Sequence, residues 1–229
     1  MTITKLGHCC LVVEITTPTS EDGGTPFSKR DKPTRIMTDP GAFSVRQNEV
    51  KDIDFIFITH EHQDHFHLES LNIVLKNNPR ARVVTNHGVG KLLAREGIAH
   101  EILEHGQTRD FGGISVEGCG EQHAVIFHNF GQVQNTGYLF AGKFFYPGDS
   151  FFNPGKPVEI LALPVAGPWM KMSEAILYAK LIHPRFAFPV HDGMLNVFGT
   201  ATVRRISETI LTPLTIQFVG IGEGDSHTF

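Results

Sequence analysis

The chain has 229 residues, 41% of them hydrophobic, with a formal charge of −4 and a pI near 6.3. That length suits one large domain with a sizeable core, and the mildly negative balance excludes a general electrostatic attraction to nucleic acid or to an anionic membrane surface. No run approaches the ~18 apolar residues of a membrane helix, and the start, MTITKLGHCC, lacks a basic region followed by an apolar one. Three cysteines, two of them the neighbours Cys9 and Cys10, make no disulfide framework. The expectation is a cytoplasmic protein that binds a small-molecule substrate, with no nucleic acid and no membrane as partner; a homo-oligomer is left open.

In chain order, short strands come first, at 3–6, 10–15 and 35–38. Cys9 and Cys10 adjoin the apolar run Leu11-Val12-Val13 and read as small core residues. Residues 17–34 are rich in Pro, Gly, Ser and charge, and read as a loop insertion within a single domain spanning 1–229. A loop of that length can be a flap over a site or a plain surface insertion. The apolar run Phe55-Ile56-Phe57-Ile58 is a buried strand. Leu68, Leu71, Val74 and Leu75 then repeat at helical spacing until Pro79. A strand at 82–85, a helix at 89–96 and a strand at 100–103 follow. Next come turn-rich strands from 108 to 117 and a hairpin of 136–140 with 143–146 around Ala141-Gly142. A strand at 159–165, a helix at 173–183 with Ser173 as its cap, a strand at 186–190, a helix at 200–211 and a strand at 215–219 complete the chain. Strands in runs with helices among them suggest an α/β (α+β) architecture of two packed sheets with helices outside.

Thirteen histidines are the compositional excess. Residues 59–67 read T-H-E-H-Q-D-H-F-H, four histidines and one aspartate where the buried strand must turn out into a loop. His60 and His62 are two apart, so in an extended segment both rings share a face and can reach one cation. Asp64 and His65 follow where the chain turns, and suit a second cation alongside. Imidazole and carboxylate without thiolate fit zinc, and also manganese, iron or nickel. A solvated histidine-rich loop is the competing reading. Four further polar residues each end a strand-like apolar run: Asp39 after Ile36-Met37-Thr38, His123 after the Gly118-Cys119-Gly120 turn, Asp149 after Phe144-Phe145-Tyr146-Pro147-Gly148, and His191 after Phe186–Val190. Singly, an aspartate in such a place is more often a turn former.

Taken together in this order, His60-x-His62-x-Asp64-His65 with Asp39, His123, Asp149 and His191 resembles the metallo-β-lactamase superfamily. Leu6-Gly7-His8, Thr38-Asp39-Pro40-Gly41, Asn135-Thr136-Gly137-Tyr138, Tyr146-Pro147-Gly148-Asp149 and Pro189-Val190-His191 resemble its stand-alone metal-dependent hydrolases, related to ascorbate-6-phosphate lactonase and N-acylethanolamine phospholipase D. The resemblance implies a four-layer αβ/βα sandwich and two divalent metal ions, zinc first. His60, His62 and His123 would hold one ion and Asp64, His65 and His191 the other. Asp149 would bridge them, and Asp39 would accept a hydrogen bond from a ligand histidine. A hydroxide bridging the metals would then cleave a phosphoester or a lactone or ester bond. Asp149 stands where true β-lactamases carry cysteine or serine, which argues against antibiotic hydrolysis.

Asp39, Asp64 and His8 are the expected catalytic group, and His8, His128 and Trp169 the expected substrate-binding residues. His67 is expected to begin the following helix outside the metal sphere, and His183 to end its own. Two other functions stay open: an iron-dependent redox enzyme resembling persulfide dioxygenases, and a non-catalytic metal-binding protein.

Overall fold

Side chains alternate across the strand following Asp54, and that alternation sets the layers. Phe55 and Phe57 bury into one apolar cluster, whereas Ile56 and Ile58 bury into another on the opposite face. The computed structural model describes residues 1–16, 32–130 and 132–229. Residues 17–31 of the expected loop insertion, and with them any flap, lie outside the described residues.

The first half runs β1 (Thr2–Gly7), β2 (Cys10–Ile15), β3 (Thr34–Thr38), β4 (Phe55–Phe57), α1 (Leu68–Asn77), β5 (Arg82–Thr85), α2 (His87–Arg95) and β6 (His100–Ile102). The second runs β7 (Thr108–Phe111), β8 (Ile114–Cys119), β9 (Gly137–Phe140), β10 (Phe144–Tyr146), β11 (Ile160–Pro164), α3 (Met172–Ile182), β12 (Phe186–Val190), α4 (Val197–Leu211), β13 (Gln217–Phe218) and β14 (Ser226–Thr228). One sheet has the order β14-β1-β2-β3-β4-β5-β6 and the other β13-β12-β11-β10-β9-β8-β7. Each sheet is antiparallel in one part and parallel in the other; the switch falls at β3/β4 in the first and at β10/β11 in the second.

Phe57, Tyr138, Phe140 and Phe144 fill the space between the sheets, with Phe57 edge-on to Tyr138 at 5.0 Å and to Phe140 at 5.1 Å. Leu71, Val74, Val89 and Leu93 of α1 and α2 cover the outer face of the first sheet. Ala175, Ala179, Val203 and Leu211 of α3 and α4 cover the second. This is the expected αβ/βα sandwich.

Element boundaries differ from expectation where a cap decides them. α3 starts at Met172, because Glu174 reaches back to accept from the Lys171 backbone N–H at 2.6 Å; Ser173 lies inside the first turn instead of capping it. α4 starts at Val197, since the Asn196 side chain accepts from Gly199 N–H at 2.9 Å. A 3-10 turn over Thr212–Leu214 and a left-handed Thr215 shorten the last expected strand to Gln217–Phe218. β14, unforeseen, closes the first sheet against β1. His67 caps α1 and His183 ends α3 in a left-handed conformation, both as expected.

Candidate metal centre

Strand direction delivers the polar residues to one edge. β3 and β4 are parallel with Thr38 opposite Phe57, so the segments leading to Asp39 and His60 leave side by side. β8, β10 and β12 end towards the same edge, ahead of His123, Asp149 and His191. The two sheets are tied there by backbone hydrogen bonds from His191 N–H to His8 C=O at 3.2 Å and from Thr136 N–H to Thr59 C=O at 3.0 Å. His8, Asp39 and His191 all have φ between 38° and 59°. Left-handed backbone at three non-glycine residues is strain gathered at one site.

His60, His62 and His123 offer ring nitrogens within 4.8 Å of one another, and Asp64, His65, Asp149 and His191 form a second group equally close. The hydrogen bonds behind the rings set which nitrogen faces inward. His65 Nδ1 donates to Asp39 Oδ2 at 2.7 Å. Thr59 Oγ1 also donates to Asp39 Oδ2 at 2.7 Å, so its lone pair accepts from His60 Nδ1 at 3.0 Å. His123 Nδ1 donates to the Ala124 carbonyl at 2.5 Å. One buried carboxylate thereby orients a histidine in each group.

Each of these rings, when neutral, turns a bare Nε2 lone pair towards Asp149. Oδ1 lies 3.0 Å from His65; Oδ2 lies 3.2 Å from His123, 2.9 Å from His191 and 3.9 Å from His60. Among the described residues, the buried Nε2 atoms of His60, His65 and His191 and Asp149 Oδ1 have no hydrogen-bond partner. Lone pairs crowded on a carboxylate repel unless positive charge lies among them, as protons on the rings or as a metal ion, and buried polar atoms left unpaired are costly. The donor set therefore fits divalent metal, with Asp149 able to reach both groups.

Sequence comparison agrees. The profile of the β-lactamase superfamily domain matches residues 23–191. The chain belongs to the β-lactamase superfamily. Protein Rv0786c of Mycobacterium tuberculosis is 31% identical, covering 85% of each chain. A UPF0173 metal-dependent hydrolase of Carboxydothermus hydrogenoformans is 27% identical over 83% of this chain and 84% of its own. The N-acyl-phosphatidylethanolamine-hydrolyzing phospholipase D 1 of Caenorhabditis elegans is 22% identical over 83% of this chain and 63% of its own. Among solved structures, Igni18, a metallo hydrolase of Ignicoccus hospitalis, superposes with a TM-score of 0.73 at 19% identity, covering 100% of this chain and 97% of its own.

In this β-lactamase superfamily member, burial is the largest influence on His60, His62, His65 and His191 and opposes their charged form. At His60 burial prevails, aided by neighbouring rings, and holds the ring well below the usual histidine range. His62 is lowered by burial and then by His123. At His65 and His191 burial is outweighed by Asp149 and its neighbours, and both are raised well above the ordinary value. Burial would raise Asp149 and Asp64. His65 and His191 outweigh it at Asp149, His191 and His8 at Asp64, and both acids stay far below the carboxylate range.

The remaining expected residues divide. Gly193 N–H donates to His8 Nδ1 at 3.0 Å, which leaves the ring proton on Nε2 to be donated to Asp64 Oδ2 at 3.2 Å. Asp39 is fully buried, with four donors on its two oxygens from Thr59, His65 and Tyr146. It acts through other side chains and is a positioning residue. Trp169, expected against substrate, gives its indole N–H to Asp149 Oδ2 at 2.9 Å and is only 7% exposed. His128 is exposed on the loop after His123, its ring packed against Phe127.

Several contributors escaped the sequence reading. Cys9 is a core residue as expected, yet its sulfur also lies within 4.8 Å of ring nitrogens of His8, His65 and His191. Burial raises its thiol pKa, but those histidines pull it down to about 6; adjacency to His8 was the available signal. Tyr146 OH, which donates to Asp39 Oδ2 at 2.7 Å, and Asn135, whose Oδ1 accepts from Asp149 N–H at 3.0 Å, sit inside motifs already noted. Buried Lys5 pairs with Asp192 at 2.6 Å and secures the loop after His191 to β1.

Proposed function

We propose that this metal-dependent hydrolase works with two divalent cations, zinc by preference, and cleaves a phosphoester or an ester or lactone bond of a small molecule. His60, His62 and His123 would hold one cation, Asp64, His65 and His191 the other, and Asp149 both. Bound there, the cations would supply a water nucleophile at neutral pH and stabilise charge on the oxygen of the attacked carbonyl or phosphoryl group. The observation that carries the reading is the convergence of imidazole lone pairs on the buried Asp149 carboxylate, a donor set of nitrogen and oxygen suited to hydrolytic zinc.

The protein's own groups then have separate tasks. Asp39 holds His60 and His65 in the tautomer that leaves Nε2 free. His8 donates to Asp64 and keeps its Oδ2 directed at His191. Trp169 fixes the rotation of Asp149 and covers one side of the centre, edge-on to His123 and His191.

Metal analysis with turnover assays tests this. Zinc or manganese loading should support hydrolysis of bis-(p-nitrophenyl) phosphate or a simple lactone, and His60→Ala should abolish it while the circular dichroism spectrum is kept. Iron with oxygen uptake on a persulfide would overturn hydrolysis in favour of redox chemistry. Two bound metals with neither activity would point to a non-catalytic metal binder.

A further inference from the structure

Three short segments just beyond Asp39, His123 and His191, the last running from Gly193 into the first turn of α4, share a composition. Residues 42–45 (Ala-Phe-Ser-Val), 124–130 (Ala-Val-Ile-Phe-His-Asn-Phe) and 193–198 (Gly-Met-Leu-Asn-Val-Phe) contain no Lys, Arg, Asp or Glu. Among the described residues, eight of the eleven exposed large apolar side chains lie on these three short segments. Phe127, Phe130 and Phe198 are 68%, 73% and 78% exposed. Isolated exposed apolar residues need no explanation, but a concentration of them marks a binding surface.

Each segment is anchored at the centre. Phe43 packs on the His8 ring at 5.1 Å between centroids. The loop after His123 is pinched at its base, where Val133 C=O accepts from His123 N–H at 3.0 Å and Gln132 Nε2 donates to His123 C=O at 2.7 Å. Phe127 and Phe130 pair at its tip through a 2.9 Å backbone hydrogen bond. Gly193, which begins the third segment, donates to His8. Each apolar segment is thus tied to a residue of the polar centre, and none of the three carries a cation to hold a second anionic group.

We infer that the substrate is an amphiphile: a single ester or phosphoester head for the metal centre, joined to a hydrocarbon chain that lies on the apolar rim formed by these segments. A sugar phosphate or another multiply charged metabolite would find no counter-charge on the rim. The head's location rests on the hydrolytic reading above; the chain's location rests on the rim alone.

A series of n-alkyl phosphates from butyl to dodecyl, titrated calorimetrically into zinc-loaded protein below their micellar concentrations, separates the two. Kd should fall about two- to fourfold for each added methylene. Phe127→Ser/Phe198→Ser should flatten that dependence, so that the loss of affinity relative to the wild type grows from butyl to dodecyl phosphate. A Kd independent of chain length in the wild type, or no binding by any member, overturns the inference. So does an unaltered dependence in the double variant, including the case where sedimentation shows that variant newly monomeric and the rim is a self-association surface. If chain length matters in binding but no ester or phosphoester is turned over, the amphiphile site stands and the hydrolytic reading fails.

Discussion

Replacing Asp39 by asparagine keeps the shape of the side chain and removes the charge that orients both ligand groups. Asp39 Oδ1 accepts from Thr59 N–H at 2.8 Å, and Oδ2 accepts from Thr59 Oγ1, His65 Nδ1 and Tyr146 OH, each at 2.7 Å. An amide must turn its NH2 towards one of these sides. Turned to Oδ1, it orphans one buried backbone donor, and the other three donors keep a neutral acceptor in place of a charged one. An orphaned buried donor costs about 1–3 kcal/mol and the weakened charged bonds somewhat more, so the metal-free protein should lose about 2–4 kcal/mol in urea unfolding. With His60 and His65 no longer held in one tautomer, affinity at both metal positions should fall about 10- to 100-fold, measured by cobalt absorption under chelator competition. Thr59→Val dissects the relay: it removes the acceptor for His60 Nδ1 and leaves the His65 bond to Asp39, so the drop should be confined to the position built from His60, His62 and His123. An Asp39→Asn protein that is destabilised yet binds both metals like the wild type would refute the orienting role.

Trp169→Phe removes the N–H from Asp149 and retains a ring against Phe151; turnover or metal affinity should fall about 10-fold with the thermal midpoint nearly kept, and a midpoint that falls in proportion would make the residue merely structural. His65 and His191 have raised pKa values and so carry protons at pH 7 in the metal-free protein, whereas His60 and His62 are lowered and do not. Metal loading at pH 7 should therefore release about two protons, read from calorimetry in buffers of different ionisation enthalpy; no buffer dependence would contradict the assignment. A Cβ on Gly41 would lie 1.9 Å from the Asp64 carbonyl oxygen and 2.6 Å from His65 N, so Gly41→Ala must displace the loop carrying both ligands. It should abolish binding at the second position, while Gly97→Ala, with open space around it, should cost only about 1–2 kcal/mol of backbone strain; equal effects would rule the packing argument out.

Much of the centre was legible in the sequence because its ligands are short-range consequences of strand geometry. The unbroken apolar run Phe55-Ile56-Phe57-Ile58 specifies a strand buried on both faces, and His60 and His62, in the loop beyond the end of β4 at Phe57, were legible as a ligand pair from their i, i+2 spacing. The order Asp39, His60 to His65, His123, Asp149, His191, each at the end of an apolar run, carried the family resemblance, and that resemblance implied the sandwich. Helix caps at Lys171 and Asn196 were also within reach, and were misplaced because apolar periodicity is a weaker boundary signal than a side chain accepting a backbone N–H.

Tertiary structure decided which nitrogen of His60 and His65 faces the centre, because both rings depend on Asp39 from another strand, His60 through Thr59. Asp39 meets Tyr146 only when the two sheets pack face to face, and Trp169 reaches Asp149 only when the loop after β11 folds over the edge. The same packing set Cys9 among His8, His65 and His191, and brought Phe43 and Gly193 against the His8 ring. Sequence alone identified the donors, through the histidine-rich motif and the resemblance it carries; their protonation depends on groups such as Asp149 that only the packed sheets bring beside them.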